Sequence, residues 1–158
     1  MLAKALVFPH FDYCSSVWAN FSANNDHKLQ VLQNRLARVL LSADIRTPVN
    51  EMMHALQWNK LHDRWYNQML TITFKCIKGI APVYLSSQFT FMYNIHSKGT
   101  RSQTNFSLCE PSWNITAGKR TFHSRAAKMW NNLPADIRCN YETMSITQFK
   151  HSTFVTAT

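Results

Sequence analysis

Apolar residues recur at helical period through most of the chain up to residue 89, most clearly in His27 to Ser42, HKLQVLQNRLARVLLS. At about 100° per residue, Val39, Leu32, Leu36, Leu29 and Leu40 share one apolar arc, the width expected of a helix docked on a core. Lys28, Arg35 and Arg38 fall on the other side. The pattern predicts a buried helix with a cationic outer face, N-capped by Asn25 or Asp26. Upstream, Met1 to Phe8 is apolar from its first residues and reads as the tail of an element that begins earlier. Pro9 interrupts it, and the spacing of Phe11, Cys14, Val17, Trp18 and Phe21 predicts a second short helix with one aromatic face. The stretch FSANND then turns into the long helix.

Farther along, Thr47 as N-cap and Pro48 at the first helical position predict another helix start, because proline's missing N–H costs nothing there. A longer helix is predicted from about Leu61 to Lys78. Trp65, Met69, Ile72 and Cys76 form one stripe of it and Leu70, Phe74 and Ile77 an adjacent one, which predicts burial on two sides. Gly79 suits a left-handed C-cap and Pro82 a stop. From Thr90 to Asn105 the period fades, and HSKGTRSQTN reads as a polar loop between two regions. Beyond it, Phe106-Ser107-Leu108-Cys109 and Lys119-Arg120-Thr121-Phe122 alternate, joined through Pro111 and Gly118, and predict a small hairpin. A short helix over His123 to Asn132, a turn at Ala135-Asp136-Ile137-Arg138 and a last helix over Met144 to Ser152 complete the reading. The fold class predicted is mainly α: a helical bundle over 1–89, a polar linker over 90–105, and a small α+β tail with a short hairpin over 106–158.

Composition adds a partner class. The 158 residues hold 17 Lys+Arg against 8 Asp+Glu, a net charge of +9, which favours a polyanion through phosphate neutralisation and counterion release. Hydrophobic residues make up 46% of the chain, enough for a core without staples. Cys14, Cys76, Cys109 and Cys139 are scattered, with neither zinc spacing nor a disulfide framework. No apolar run approaches the ~18 residues of a membrane span, and no cleavable leader pattern follows Met1. The chain is read as intracellular, and the sequons at Asn20, Asn105 and Asn114 as accidental.

Two groups of residues then point to a family. The run Phe8-Pro9-His10-Phe11-Asp12-Tyr13-Cys14-Ser15-Ser16-Val17-Trp18, followed by Leu29-Gln30-Val31-Leu32-Gln33-Asn34-Arg35 and Ala37-Arg38, is joined by Leu56-Gln57-Trp58, Leu61-His62-Asp63-Arg64 and Gly79-Ile80-Ala81-Pro82. Near the end stand Gly118-Lys119-Arg120, Phe122, Ala126-Ala127, Trp130-Asn131, Leu133-Pro134, Ile137-Arg138 and Phe149-Lys150. In order and spacing these resemble the region after the catalytic core in reverse transcriptases of LINE-type (non-LTR) retrotransposons, of the jockey-like kind. The resemblance runs from about Leu2 to Lys150. It departs at Ala19 and Gln57, where glycine is frequent, at Leu36, where alanine is, and in the final HSTFVTAT. It implies a thumb-like bundle that grips the template–primer duplex by its backbone and helps place element RNA at a nicked target. RNA, an RNA–DNA hybrid, target DNA and a reverse transcriptase catalytic core are the partners implied, in nucleus and cytoplasm.

Catalysis is not expected of this chain. Reverse transcription needs aspartates that hold two magnesium ions, and in the family these include an adjacent Asp-Asp pair. Here the eight acids stand singly: Asp12, Asp26, Asp44, Glu51, Asp63, Glu110, Asp136 and Glu142. His54 and His62 lie on different elements, Cys76 sits in an apolar stripe, and no glycine-rich phosphate loop exists. No cofactor or metal site is expected. Binding is the expectation that remains. Lys98, Arg101, Lys119, Arg120, Arg125 and Lys128 interleave with Trp113, Phe122 and His123, cations for phosphates beside aromatics for unstacked bases. Lys28, Arg35, Arg38 and Arg46 are a second candidate patch. Trp18, Trp58, Trp65 and Trp130, at helical spacing, are read as core, and Trp113, in a loop beside Pro111, as the stacking residue. The alternative expectation is a small helical protein-interaction module, or an inert retrotransposon relic, with no nucleic-acid role. An uncovered apolar patch on the first two helices would favour it.

Overall fold

The computed structural model describes residues 2–19, 23–95 and 105–155, which are mainly helical. In chain order the helices are α1 (Leu2–Leu6), α2 (Phe8–Asp12), α3 (Ser15–Trp18), α4 (Ala23–Leu41), α5 (Val49–Leu56), α6 (Leu61–Ile77) and α7 (Val83–Ser86). After a 3-10 turn (Met92–Asn94) come α8 (Thr116–Lys119), α9 (Phe122–Asn131), α10 (Ala135–Cys139) and α11 (Ile146–Val155). The chain forms two compact units, Met1–Tyr66 and Asn67–Thr158, and the division falls within α6. Most of the polar stretch expected as a linker, 96–104, lies outside the described residues.

In the first unit Pro9 sits in the first turn of α2 rather than breaking a helix, since that turn has no intrahelical use for its N–H. The break comes at Cys14, left-handed at φ 52°, which splits the expected aromatic-faced helix into α2 and α3. Phe8 and Phe11 are consequently buried while Cys14 and Val17 face out; Phe21 lies outside the described residues. Side chains close the gap. The Trp65 indole donates to Phe11 O at 2.9 Å, and Trp18 donates to Tyr13 O at 2.6 Å while meeting Trp65 edge-on. The Arg64 guanidinium pairs with the Asp12 carboxylate and lies 4.4 Å over the Phe8 ring. Phe8 in turn meets Trp58 edge-to-face at 4.7 Å.

The long helix α4 departs from its predicted face. Leu29 and Leu36 pack on the core, but Ala37 and Gln33 form the fully buried line, and Leu32, Val39 and Leu40 are exposed. The reason is a pair of backbone groups where the chain enters α6. Gln33 Nε2 donates to Asn59 O at 3.0 Å, and Gln30 Oε1 accepts the Leu61 N–H at 3.0 Å. Leu61 is buried, and leaving its N–H unpaired there costs about 1–3 kcal/mol, so Gln30 turns toward it, while Gln33 beside it is fully buried and satisfied by Asn59. The next helix, α5, begins one residue later than expected: Pro48 is its N-cap, and no side chain caps it. It ends at Gln57, left-handed at φ 52° and ψ 50°, whose N–H donates to His54 O.

In the second unit α6 is buried on both predicted stripes, through Met69 and Cys76 on one and Leu70 and Phe74 on the other. The Thr73 hydroxyl, also buried, donates back to Met69 O. Gly79 takes the left-handed C-cap at φ 69°. Phe149 of α11 stacks on Phe74 at 4.2 Å and on Trp130 of α9 at 6.1 Å. A capping box starts α11: the Gln148 N–H donates to Ser145 Oγ, and the Ser145 N–H donates to Gln148 Oε1.

The expected hairpin does not form, and no strand occurs among the described residues. The Lys119-Arg120-Thr121-Phe122 run instead links two helices, because Thr121 serves as N-cap of α9 and accepts from the Ser124 N–H. The Phe106–Cys109 run finds other partners. Phe106 is left-handed at φ 48°, and Leu108 makes an isolated antiparallel bridge to Phe91. From the other side the Trp130 indole donates to Phe106 O at 2.9 Å, and the Asn131 amide exchanges two hydrogen bonds with Leu108. Arg138, buried, donates to Ser107 Oγ at 2.7 Å and to Leu133 O.

Two substitutions test these joints. Glycine pays none of the ~1–2 kcal/mol that a Cβ costs in left-handed backbone, so Gln57→Gly should raise unfolding stability by about 1 kcal/mol in denaturant titration. Asn131→Ala strips both partners from the buried Leu108 backbone and should cost about 2–4 kcal/mol. An unchanged midpoint for the second variant would mean that Leu108 is satisfied some other way.

Candidate nucleic-acid interface

A polyanion surface needs cations that are exposed and not already spent. In the second unit the turn that follows α8 supplies two. Lys119 ends α8 and Arg120 is its C-cap; both are exposed, and neither has a carboxylate partner among the described residues. Their position is fixed by Gly118 and Thr121: the Thr121 hydroxyl and N–H both donate to Gly118 O, at 2.8 Å and 3.2 Å. The same Thr121 oxygen caps α9, so the two cations sit on a pinned corner.

Beside that corner stands Trp113, 41% exposed. Its indole lies flat enough on Gly118 that a Cβ there would come within 2.5 Å of the Trp113 Cδ2. Gly118 is therefore the residue that seats the ring, and the buried hydrogen in place of a methyl is what admits it. One half-exposed aromatic face next in the chain to two exposed cations can stack a base while the cations hold the flanking phosphates.

The other predicted members divide. Lys128 is exposed on the side of α9 away from Ala127 and Trp130, which are buried. Arg125 is half-buried and already engaged within the protein. Phe122 and His123 are not stacking platforms: both rings are half-buried and meet Phe89 edge-on, at 6.0 Å and 5.2 Å. Burial also pushes the His123 pKa below the usual imidazole range, so it adds no charge at neutral pH. Glu110, the acid within this stretch, accepts from Asn131 Nδ2. Lys98 and Arg101 lie outside the described residues.

In the first unit Lys28 and Arg35 are exposed on α4, and Arg46 is exposed in the loop after it, its N–H donating to Asp44. Arg38 is half-buried, with its Nε enclosed and unpartnered. Periodicity could not separate these from the cations the fold consumes. Arg64 and Arg138 are two of those, and Lys78 is a third, donating to Met144 O over the Phe74 ring. Trp58, Trp65 and Trp130 are core residues and Trp18 is half-buried against Trp65, as their spacing predicts.

Burial raises the Cys76 thiol pKa, which keeps it protonated. Among the described residues no three His, Cys, Asp or Glu side chains come together as a metal-ligand group. No helix is long and apolar enough to cross a membrane among the residues described. Comparison with protein families, with curated proteins and with solved structures finds no match to this chain.

Gly118→Ala should unseat Trp113. Acrylamide quenching of tryptophan emission is expected to rise in Gly118→Ala, and that rise should disappear when Trp113→Phe is added. A rise that survives Trp113→Phe would place the disturbance in the core instead.

Proposed function

We propose that this chain is a non-catalytic nucleic-acid-binding region of the kind its resemblance to the post-catalytic end of LINE-type reverse transcriptases implies. It grips RNA or an RNA–DNA hybrid at the corner formed by Trp113, Lys119 and Arg120, with Lys128 as a further phosphate contact. The observation that carries this reading is the seating of a half-exposed indole on Gly118, the residue that precedes Lys119 and Arg120, neither of which has a carboxylate partner among the described residues. The net charge of +9 supports it, since long-range attraction raises encounter with a polyanion before any contact is made.

One observation favours a second reading, a helical protein-interaction module without a nucleic-acid role. On the first helices and the turn between α2 and α3, Leu2, Leu6, Tyr13 and Val17 are all well exposed, apolar side chains that a protein partner could cover.

The two readings separate in a fluorescence-anisotropy titration of the folded chain against single-stranded RNA, RNA–DNA hybrid and duplex DNA at two salt concentrations. If about six phosphates are engaged, log affinity falls against log salt with a slope near −4 to −5. Lys119→Ala with Arg120→Ala should flatten that slope by about 1.5, and Trp113→Ala should weaken single-strand binding by about tenfold or more while leaving the slope in place. Absence of binding at low salt by a chain with native circular dichroism favours the interaction module.

A further inference from the structure

The outward face of α4 combines two side-chain types in a register that phosphate binding does not explain. Lys28, Leu32, Arg35 and Val39 are spaced four, three and four residues apart, so they line up one per turn along a single seam, and Lys28 and Arg35 flank Leu32 and Val39 instead of lying opposite them as first read. All four are exposed, Leu32 at 48% and Val39 at 76%. The burial of Gln33 and Ala37 leaves them there: by turning its glutamines inward to serve Asn59 and Leu61, the helix rotates part of its aliphatic arc into solvent. No acid lies on the seam, and Asp26, the one carboxylate on α4, lies in its first turn.

Leu32 and Val39 occupy alternate positions of a coiled-coil seam, and Lys28 and Arg35 the positions between them. Aliphatic knobs offer nothing to phosphates or to base faces, whereas they fit between the side chains of a facing helix. The cations have apolar stems that can lie along such a helix while their charged ends reach carboxylates at its margin. A second copy of this chain would set like charges against each other along the seam. Charge complementarity selects an acidic partner instead.

We propose that this seam of α4 docks an acidic amphipathic helix, with apolar residues along the seam against Leu32 and Val39 and carboxylates at its margins within reach of the Lys28 and Arg35 ends. This assigns Lys28 and Arg35 to a protein partner and is independent of the grip at Trp113, Lys119 and Arg120.

The probe is a fluorescein-labelled peptide of three heptads, with Leu at a and d and Glu at e and g, titrated against the full chain by anisotropy. Saturable binding is expected, weakened about tenfold or more by Leu32→Gln with Val39→Gln, both surface changes that leave circular dichroism unaltered. Lys28→Glu with Arg35→Glu should abolish binding of the acidic peptide and create binding of the matching peptide with Lys at e and g. Lys119→Ala with Arg120→Ala should leave peptide affinity unchanged and lower only RNA affinity, which separates failure of one site from failure of the other. The proposal is overturned if the acidic peptide does not bind, or if Leu32→Gln with Val39→Gln binds it as well as the parent chain. It is equally overturned if Lys28→Glu with Arg35→Glu reduces RNA binding while peptide binding stands.

Discussion

Short helices impose the constraint on which both units depend. Each helix end leaves about four backbone groups without an intrahelical partner, so a helix of five residues has more orphan groups than internal bonds. The chain contains several of that length, and joins them through backbone that is neither helix nor sheet. Such groups cannot be buried unpaired. Side chains from the longer helices therefore reach across to satisfy them: Trp65 to Phe11, Gln33 and Gln30 to Asn59 and Leu61, Trp130 to Phe106, Asn131 to Leu108. In each unit an indole does two tasks, burying a large ring in the core and placing its one N–H on a carbonyl at a break in the chain.

That constraint also explains what could be read from the sequence. The two stripes of α6 and the left-handed Gly79 were legible because they follow from apolar period and cap chemistry alone. The buried face of α4 was not, since hydrophobic ranking places Leu32 ahead of Gln33 and cannot see that Asn59 and Leu61 need partners. The hairpin failed for a similar reason. Its two runs alternate correctly, but Thr121 is worth more as a helix cap, and Leu108 finds its second partner in an amide twenty-three residues away. At the candidate interface, the exposure of Trp113 was legible from its loop beside Pro111. The loss of Phe122 and His123 to Phe89 was not, because Phe89 carries no signal that it will lie beside them.

Several residues of the tracts quoted in the sequence analysis make contacts inside the fold. Asp12 and Arg64 pair with each other, Trp130 and Asn131 hold the 106–108 backbone, and Arg138 holds Ser107. Gln57 occupies a left-handed position, backbone that glycine adopts without a Cβ penalty. A likeness carried by such residues concerns how the chain folds. Lys119 and Arg120 face outward, as do Tyr13, Val17, Leu32 and Arg35 of the same tracts.

The clasp around Leu108 has a further consequence for how the chain behaves at high concentration. An extended segment normally presents two hydrogen-bonding edges, and an open edge can recruit a strand from another molecule. Here Ser107 O and Cys109 N–H are paired toward the Phe91 side, with Met92 and Thr90, while both backbone groups of Leu108 go to the Asn131 amide. A single side chain thus stands in for the missing neighbour strand and seals the second edge. The one extended bridge in the described structure offers no template for edge-to-edge assembly.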